Sequence, residues 1–267
     1  MTRRILVFDS GLGGLTVLQA LRHELAGAQF IYCADNAGFP YGDWAEDDLV
    51  ARIVGLIEGW DGDNAPDAVV IACNTASTLV LPALRARLDI PVVGTVPAIK
   101  PAAERTKTGM ISVLATPGTV RRDYTRDLID SFAGDVHTRL VGSDRLADMA
   151  EGELVGKRAS DDEIREQITP CFHRQAGLRT DIVVLACTHY PLLVDRFRQV
   201  APWQVEWLDP APAIARRVRQ VSDESSQGQT GHSGRVDGDI ALTTAIPTQN
   251  RQLAQVFARF GLTYQHP

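Results

Sequence analysis

A nine-residue segment of this 267-residue chain occurs twice. Asp67-Ala-Val-Val-Ile-Ala-Cys73-Asn74-Thr75 matches Asp181-Ile-Val-Val-Leu-Ala-Cys187-Thr188-His189 at an offset of 114 residues, and Val96-Pro97-Ala98-Ile99 matches Ala211-Pro212-Ala213-Ile214 at 115. A weaker third pair, Ile5–Gly11 and Ile111–Gly118, again has a strand running into a small, polar, glycine-containing loop. Matches at one long offset predict a chain made of two similar halves. Val- and Ile-rich runs recur in any buried parallel sheet, so chance could supply the apolar middle of each copy. It does not supply the shared leading Asp, the shared Cys and a second match in the same register.

Around these segments, apolar runs of strand length alternate with amphipathic stretches of helix length. Strands are expected at Ile5–Phe8, Phe30–Cys33, Ala68–Ala72, Val92–Val93, Met110–Leu114, Val136–Leu140, Ile182–Ala186 and Val205–Leu208. Helices are expected at Thr16–Leu25, Leu49–Trp60, Thr78–Leu88, Arg121–Phe132, Asp162–Gln175 and Leu192–Val200. This alternation predicts an α/β fold with mainly parallel sheets. Ser222–Asp239, rich in Gly and Ser, is expected to be an exposed loop.

The net charge of −6 argues against sequence-independent binding to nucleic acid or to an anionic membrane, both of which need a basic face. An anionic small molecule stays admissible, because backbone N–H groups at helix N-termini bind carboxylates whatever the overall charge. No stretch approaches the roughly 20 apolar residues of a membrane span. Ile5–Phe8 is too short for a secretory signal, so a cytoplasmic location with reduced thiols is expected. None of the four cysteines, Cys33, Cys73, Cys171 and Cys187, lies in a C-x-x-C pair, which leaves a metal or redox site little support.

Cys73 and Cys187 each follow an apolar strand and precede an expected helix, the end of an open α/β sheet where ligands bind. A nearby helix N-terminus favours the thiolate. Most free cysteines are packing residues, and Cys33 and Cys171, which lack counterparts, are read that way. Two at equivalent positions suggest function. If two pseudo-symmetric halves face each other across a central cleft, one thiolate can take a proton from a carbon while the opposite thiol delivers one to the other face. The result is inversion. His189 could orient Cys187, which also admits a Cys–His hydrolase, although that reading leaves Cys73 without a task. The loop Asp9-Ser10-Gly11-Leu12-Gly13-Gly14-Leu15-Thr16 and a later Asp35 suggest a dinucleotide fingerprint, but Thr16 takes the third glycine position and Asp9 sets a negative charge where a pyrophosphate would approach. The preferred alternative makes Asp9 and Ser10 members of the cleft, with Asp9 a proton-handling partner of Cys73.

Five segments together resemble the glutamate racemase family. They are Phe8–Val17, Pro40-Tyr41-Gly42-Asp43, Ala72–Ala76, Thr116-Pro117-Gly118-Thr119-Val120 and Cys187-Thr188-His189-Tyr190-Pro191-Leu192, in family order across nearly the whole chain. The resemblance implies cofactor-independent interconversion of L- and D-glutamate, supplying D-glutamate for peptidoglycan. Cys73 and Cys187 would be the catalytic thiols, assisted by Asp9 and His189 respectively, and Glu151 would be an additional acidic residue near Cys187. Asp9, Ser10, Tyr41, Gly42, Asn74, Thr75, Thr188 and His189 would bind substrate, with Thr116 and Thr119 as further contacts. The implied layout is a first domain of residues 1–97 plus 209–267 and a second of 98–208. No cofactor and no metal are implied. Glutamate is the expected partner, a homodimer is allowed, and neither nucleic acid nor membrane is expected. One departure is Asp43-Trp44, which stands where many relatives carry a different polar stretch ending in serine.

Overall fold

The computed structural model describes residues 3–60, 62, 65–225, 238–246 and 250–265. The chain begins with β1 (Arg4–Asp9), α1 (Leu15–Glu24), β2 (Gln29–Ala34), α2 (Glu46–Glu58), β3 (Ala68–Ile71), α3 (Asn74–Arg87) and β4 (Val92–Gly94). It continues through α4 (Ile99–Arg105), β5 (Met110–Ala115), α5 (Pro117–Arg121), α6 (Asp123–Phe132), β6 (His137–Gly142), α7 (Leu146–Leu154) and α8 (Asp161–Ile168). A short hairpin of β7 (Arg174–Gln175) and β8 (Leu178–Arg179) leads to β9 (Ile182–Ala186), α9 (Val194–Val200) and β10 (Glu206–Leu208). The last elements are α10 (Ala211–Ser225), β11 (Ile240–Thr243), α11 (Asn250–Arg259) and β12 (Thr263–Tyr264).

Two compact units emerge, Met1–Thr95 with Ala211–Pro267, and Val96–Pro210. The first holds a parallel six-stranded sheet in the order β12-β11-β2-β1-β3-β4, the second a parallel four-stranded sheet in the order β10-β9-β5-β6. The run β2-β1-β3-β4 therefore has the same order as β6-β5-β9-β10. The register agrees too: Ile5 lies opposite Ala68, and Ile111 opposite Ile182. Val69 pairs with Val92 while Val183 pairs with Trp207, so the step in offset from 114 to 115 falls between the third and fourth strands. This topology gives the weak match of Ile5–Gly11 to Ile111–Gly118 its meaning, since both segments contain the strand that pairs with the cysteine-bearing one.

The helices after the two fourth strands are exchanged. β4 belongs to the first unit, yet α4 packs on α6 and β9 of the second; β10 belongs to the second, yet α10 packs on α1 of the first. Pro97 and Pro212 lie at these two crossings. In the middle of each sheet β1, β3, β5 and β9 are buried along their whole length. That is why they read as continuous apolar runs instead of alternating ones. Among the described residues no helix is long and apolar enough to cross a membrane.

Several expected boundaries move. α3 starts at Asn74, four residues before the apolar periodicity begins, because Cys73 takes an extended N-cap conformation and the polar first turn is buried. Arg121–Phe132 is two helices: Thr116 caps α5 through the Thr119 N–H with Pro117 at its first position, and extended Arg122 separates α5 from α6. Asp162–Gln175 is not one helix. α8 ends at Ile168, where Pro170 has no N–H to continue the helical bonding, and Pro170 lies in a short 3-10 turn, Thr169–Cys171. Ala176 and Gly177, both at positive φ, then make the hairpin turn. The start of Leu192–Val200 is likewise a 3-10 turn, Tyr190–Leu193. Of the expected loop Ser222–Asp239, residues 226–237 lie outside the described residues, and its first residues extend α10.

Candidate active site

In the first unit the predicted residues gather where β1 and β3 end. Phe8 pairs with Ile71 and its carbonyl accepts the Ala72 N–H at 2.7 Å, so the next ranks bring Asp9 and Ser10 alongside Ala72 and Cys73. Cys73 Sγ lies 3.7 Å from Ser10 Oγ. The Cys73 carbonyl accepts the Ser77 N–H at 2.9 Å, which puts the thiol at the amino end of the 14-residue α3. Unsatisfied N–H groups and the helix dipole make that end favourable for negative charge. Asp9 is fully buried, and its Oδ2 accepts the Gly14 N–H at 2.6 Å. A Cβ on Gly14 would stand 2.8 Å from Asp9 Cβ, which explains glycine there. The loop of glycines thus wraps an aspartate.

Asn74 and Thr75 occupy the first turn of α3 and are buried. Neither polar atom of the Asn74 side chain has a hydrogen-bond partner among the described residues, although the residue is only 2% exposed. An unpaired buried amide costs roughly 1–3 kcal/mol, and such a group calls for an explanation. A polar ligand beside Cys73 supplies one.

Tyr41 and Gly42 follow β2 in a 3-10 turn, Tyr41–Asp43. The Tyr41 hydroxyl donates to Asp35 Oδ2 at 2.6 Å, and Asp35 also receives Arg52 and Thr244. Burial works against the Asp35 carboxylate, but the donated hydrogen bonds from Arg52, Thr244 and Tyr41 outweigh it and hold its pKa below the usual value. Burial, then the charge of Asp35, pushes the Tyr41 phenol up, so it stays a neutral donor. Sequence reasoning considered Asp35 only as a ribose ligand, and the structure turns its carboxylate inward. Arg52 and Thr244 went unnoticed because an arginine in an amphipathic helix and a threonine at a strand end carry no local signal.

In the second unit, Cys187 follows β9 and its carbonyl accepts the Tyr190 N–H at 3.1 Å, opening a 3-10 turn ahead of the seven-residue α9. His189 lies beneath it, 2% exposed. Its Nδ1 is 3.7 Å from Cys187 Sγ, and its Nε2 is 3.0 Å from Oε1 of Glu151 on α7. Burial alone would lower the His189 pKa, but the hydrogen bonds and charges of Cys187 and Glu151 raise it well above the ordinary value. Burial, then the negative charge of Glu151, raises the pKa of Asp148 one turn earlier. Thr188 is buried between the thiol and the imidazole in sequence.

Thr116 stands one rank beyond β5, whose Ala115 pairs with Ala186 just before Cys187, and Thr119 lies in the first turn of α5. Their hydroxyls are 3.1 Å apart, and Thr119 is fully buried. Cys33 and Cys171 lie inside the packing, and burial pushes the Cys33 thiol up to about 12. This is the behaviour of an inert thiol.

Comparison with known proteins agrees along the whole chain. The family model Asp/Glu/Hydantoin racemase matches residues 5–218. A glutamate racemase of Brucella anthropi is 62% identical over 263 residues, covering 98% of this chain and 93% of that protein. A second, of Brucella canis, is 55% identical with 98% and 94% covered. Among solved structures, Escherichia coli glutamate racemase in complex with L-glutamate and the activator UDP-MurNAc-Ala superimposes with a TM-score of 0.89 at 38% identity, covering 100% of this chain and 98% of that one. Thermus thermophilus glutamate racemase in complex with beta-chloro-D-alanine gives 0.75 at 28% identity, with 100% and 97% covered.

Proposed function

The chain belongs to the Asp/Glu/hydantoin racemase family, and we propose that it interconverts L- and D-glutamate with Cys73 and Cys187 as the two acid–base groups. The observation that carries this reading is the equivalence of the two thiols. Each ends the strand that pairs with the first strand of its sheet, in sheets of the same strand order. One thiol takes the α-proton of glutamate, and the other returns a proton to the opposite face of the carbanion. Afterwards the two have exchanged protonation states, and the reverse reaction starts from there.

The neighbours have distinct tasks in this scheme. The amino end of α3 favours the thiolate of Cys73, the protonated thiol donates to the Ser10 hydroxyl, and Asp9 is the proton-handling group nearby. His189, held by Glu151, has its Nδ1 3.7 Å from the Cys187 sulfur, within reach to exchange a proton with it. Asn74, with its unused amide, is the leading ligand for the substrate's polar groups, joined by Thr75, Thr188, Thr116, Thr119 and the Tyr41–Gly42 turn. The scheme uses no pyridoxal phosphate, metal or nucleotide. Carbanion stabilisation then falls to preorganised hydrogen bonds in a site shielded from water. The product D-glutamate would supply peptidoglycan synthesis, in the cytoplasm where thiols stay reduced.

Optical rotation of the purified protein with L- or D-glutamate, with aspartate as control and no added cofactor, tests the reading. Racemisation of glutamate is expected, together with a loss of roughly 10³-fold or more in both Cys73→Ala and Cys187→Ala, as for removal of a general acid–base group. Full activity in either variant overturns the two-thiol scheme. No rotation change in the wild type overturns the substrate.

A further inference from the structure

We propose that Asp35 and Arg52 are positioning residues of the Cys73 half-site, which hold the Tyr41–Gly42 turn open for the ligand, with the Tyr41 phenol serving as a latch and not as a ligand contact. The proposal deepens the glutamate reading and rests on it.

Asp35 is fully buried, and all of its acceptor positions are committed. Oδ2 receives the Tyr41 hydroxyl at 2.6 Å and Arg52 Nε at 2.7 Å; Oδ1 receives Arg52 Nη2 at 2.5 Å and Thr244 Oγ1 at 2.5 Å. The two Arg52 bonds form a fork on the carboxylate, a geometry that fixes direction as well as distance. The Asp35 backbone N–H donates to the Asp9 carbonyl at 2.8 Å, so the cluster is tied to the end of β1. Thr244 reaches it from the residue just past β11.

The loop between β2 and α2 is wrapped around this pair. A Cβ on Gly38 would come within 2.7 Å of Asp35 Oδ2, 2.8 Å of Arg52 Nε and 2.9 Å of Tyr41 Cε1, so only glycine lets the chain pass. The Gly38 carbonyl accepts Trp44 Nε1 at 2.9 Å, and the Arg52 guanidinium lies 5.5 Å from the Trp44 ring centre. Residues 38, 41 and 44 are therefore each anchored to Asp35 or Arg52.

Gly42 differs from its neighbours. A Cβ there would meet nothing within 4 Å, so neither packing nor the cluster requires glycine. The turn presents a bare backbone at Gly42, beside the latched Tyr41. A buried ion pair is weak evidence for stability, because desolvation offsets its Coulomb gain. What this one supplies is orientation. Since the Tyr41 hydroxyl is consumed by Asp35, the turn meets a ligand through its backbone.

The test compares Tyr41→Phe, Arg52→Gln, Arg52→Lys and the double variant Tyr41→Phe/Arg52→Gln in glutamate racemisation, with hydrogen exchange of residues 36–44 measured on each. Tyr41→Phe and Arg52→Gln are expected to raise KM for both enantiomers about tenfold while kcat changes less than about threefold. In the double variant the KM increase should fall well short of the product of the two, because both act through one carboxylate. Arg52→Lys, which keeps the charge without the fork, should recover part of the loss. Faster exchange confined to residues 36–44 should accompany each KM increase. A KM increase in Tyr41→Phe alone, additive with Arg52→Gln, would make the phenol a ligand contact and overturn the latch. Equal loss of kcat and thermal stability without a KM change would reduce the pair to a fold element and also overturn it. If the wild type does not racemise glutamate, the substrate reading fails by itself. The latch is then judged on exchange alone, and unchanged protection at residues 36–44 in Arg52→Gln sinks it.

Discussion

The two thiols occupy equivalent strand ends, yet their surroundings differ in kind. Cys73 stands at the amino end of a 14-residue helix, with a serine hydroxyl 3.7 Å away and a buried aspartate next along β1. Cys187 opens only a 3-10 turn before a seven-residue helix, and an imidazole backed by a glutamate lies 3.7 Å from it. A long helix supplies a fixed partial charge of roughly +0.5 that never titrates. An imidazolium supplies a full charge and a proton. The same strand-end position is thus built twice, with a different set of neighbours in each unit. The two directions of the reaction should therefore respond differently to substitution and to pH.

The largest asymmetry is expected from His189→Ala. Removing the group paired with Cys187 should cost roughly 10²-fold in kcat for the direction in which Cys187 takes the α-proton, and less in the other. Ser10→Ala, the matching change beside Cys73, should cost only about fivefold, the net value of one neutral hydrogen bond of about 1 kcal/mol. Separate kcat values from L- and D-glutamate measure both. Equal losses in both directions for both variants would break the comparison.

A smaller effect than at His189 is expected at Asn74, whose counterpart after Cys187 is Thr188. Asn74→Leu keeps the branching and heavy-atom count of the side chain and removes an amide with no partner among the described residues. The variant should raise KM for glutamate about tenfold while gaining about 1 kcal/mol in stability, since an unpaired buried amide is gone. Steady-state kinetics and urea denaturation check the two halves of that statement. A stability loss with unchanged KM would make Asn74 a packing residue.

Much of this was legible before any coordinates. The repeat of Asp67–Thr75 in Asp181–His189 exposed the paired strands, and the short polar motifs after them marked the sheet ends. Strand positions read well because β1, β3, β5 and β9 are buried on both faces, so hydrophobicity alone reveals them. Helix starts read poorly: Asn74-Thr75-Ala76-Ser77 looks like a loop by composition, and only its burial and the Cys73 cap make it the first turn of α3. Glu151 was named from a short family match, and its bond to His189 spans 38 residues that no local pattern connects. The Asp35–Arg52–Thr244 cluster was missed for the same reason, as its members are joined by topology across up to 209 residues. The crossing of α4 and α10 between the units leaves a faint trace in the Pro97 and Pro212 matches, visible once the sheets are laid out.

The finest comparison concerns protons. Beside Cys187 a partner lifts a histidine, and Glu151→Gln reaches it without touching the thiol. Because the folded pKa of His189 is raised above its ordinary 6.5, its contribution to stability is fully present below that value and is lost as pH rises through the folded one. Glu151→Gln keeps a hydrogen-bonding oxygen near Nε2 but removes the negative charge, so the folded pKa falls and the loss of stability moves to lower pH. The activity change should be severalfold at neutral pH, smaller than for His189→Ala, and should grow on the alkaline side as the imidazolium is depleted earlier. Thermal denaturation and kcat followed from pH 6 to pH 10 test both statements. Coincident profiles for wild type and variant would show that Glu151 holds the ring in place without setting its charge. The two half-sites would then differ in geometry alone.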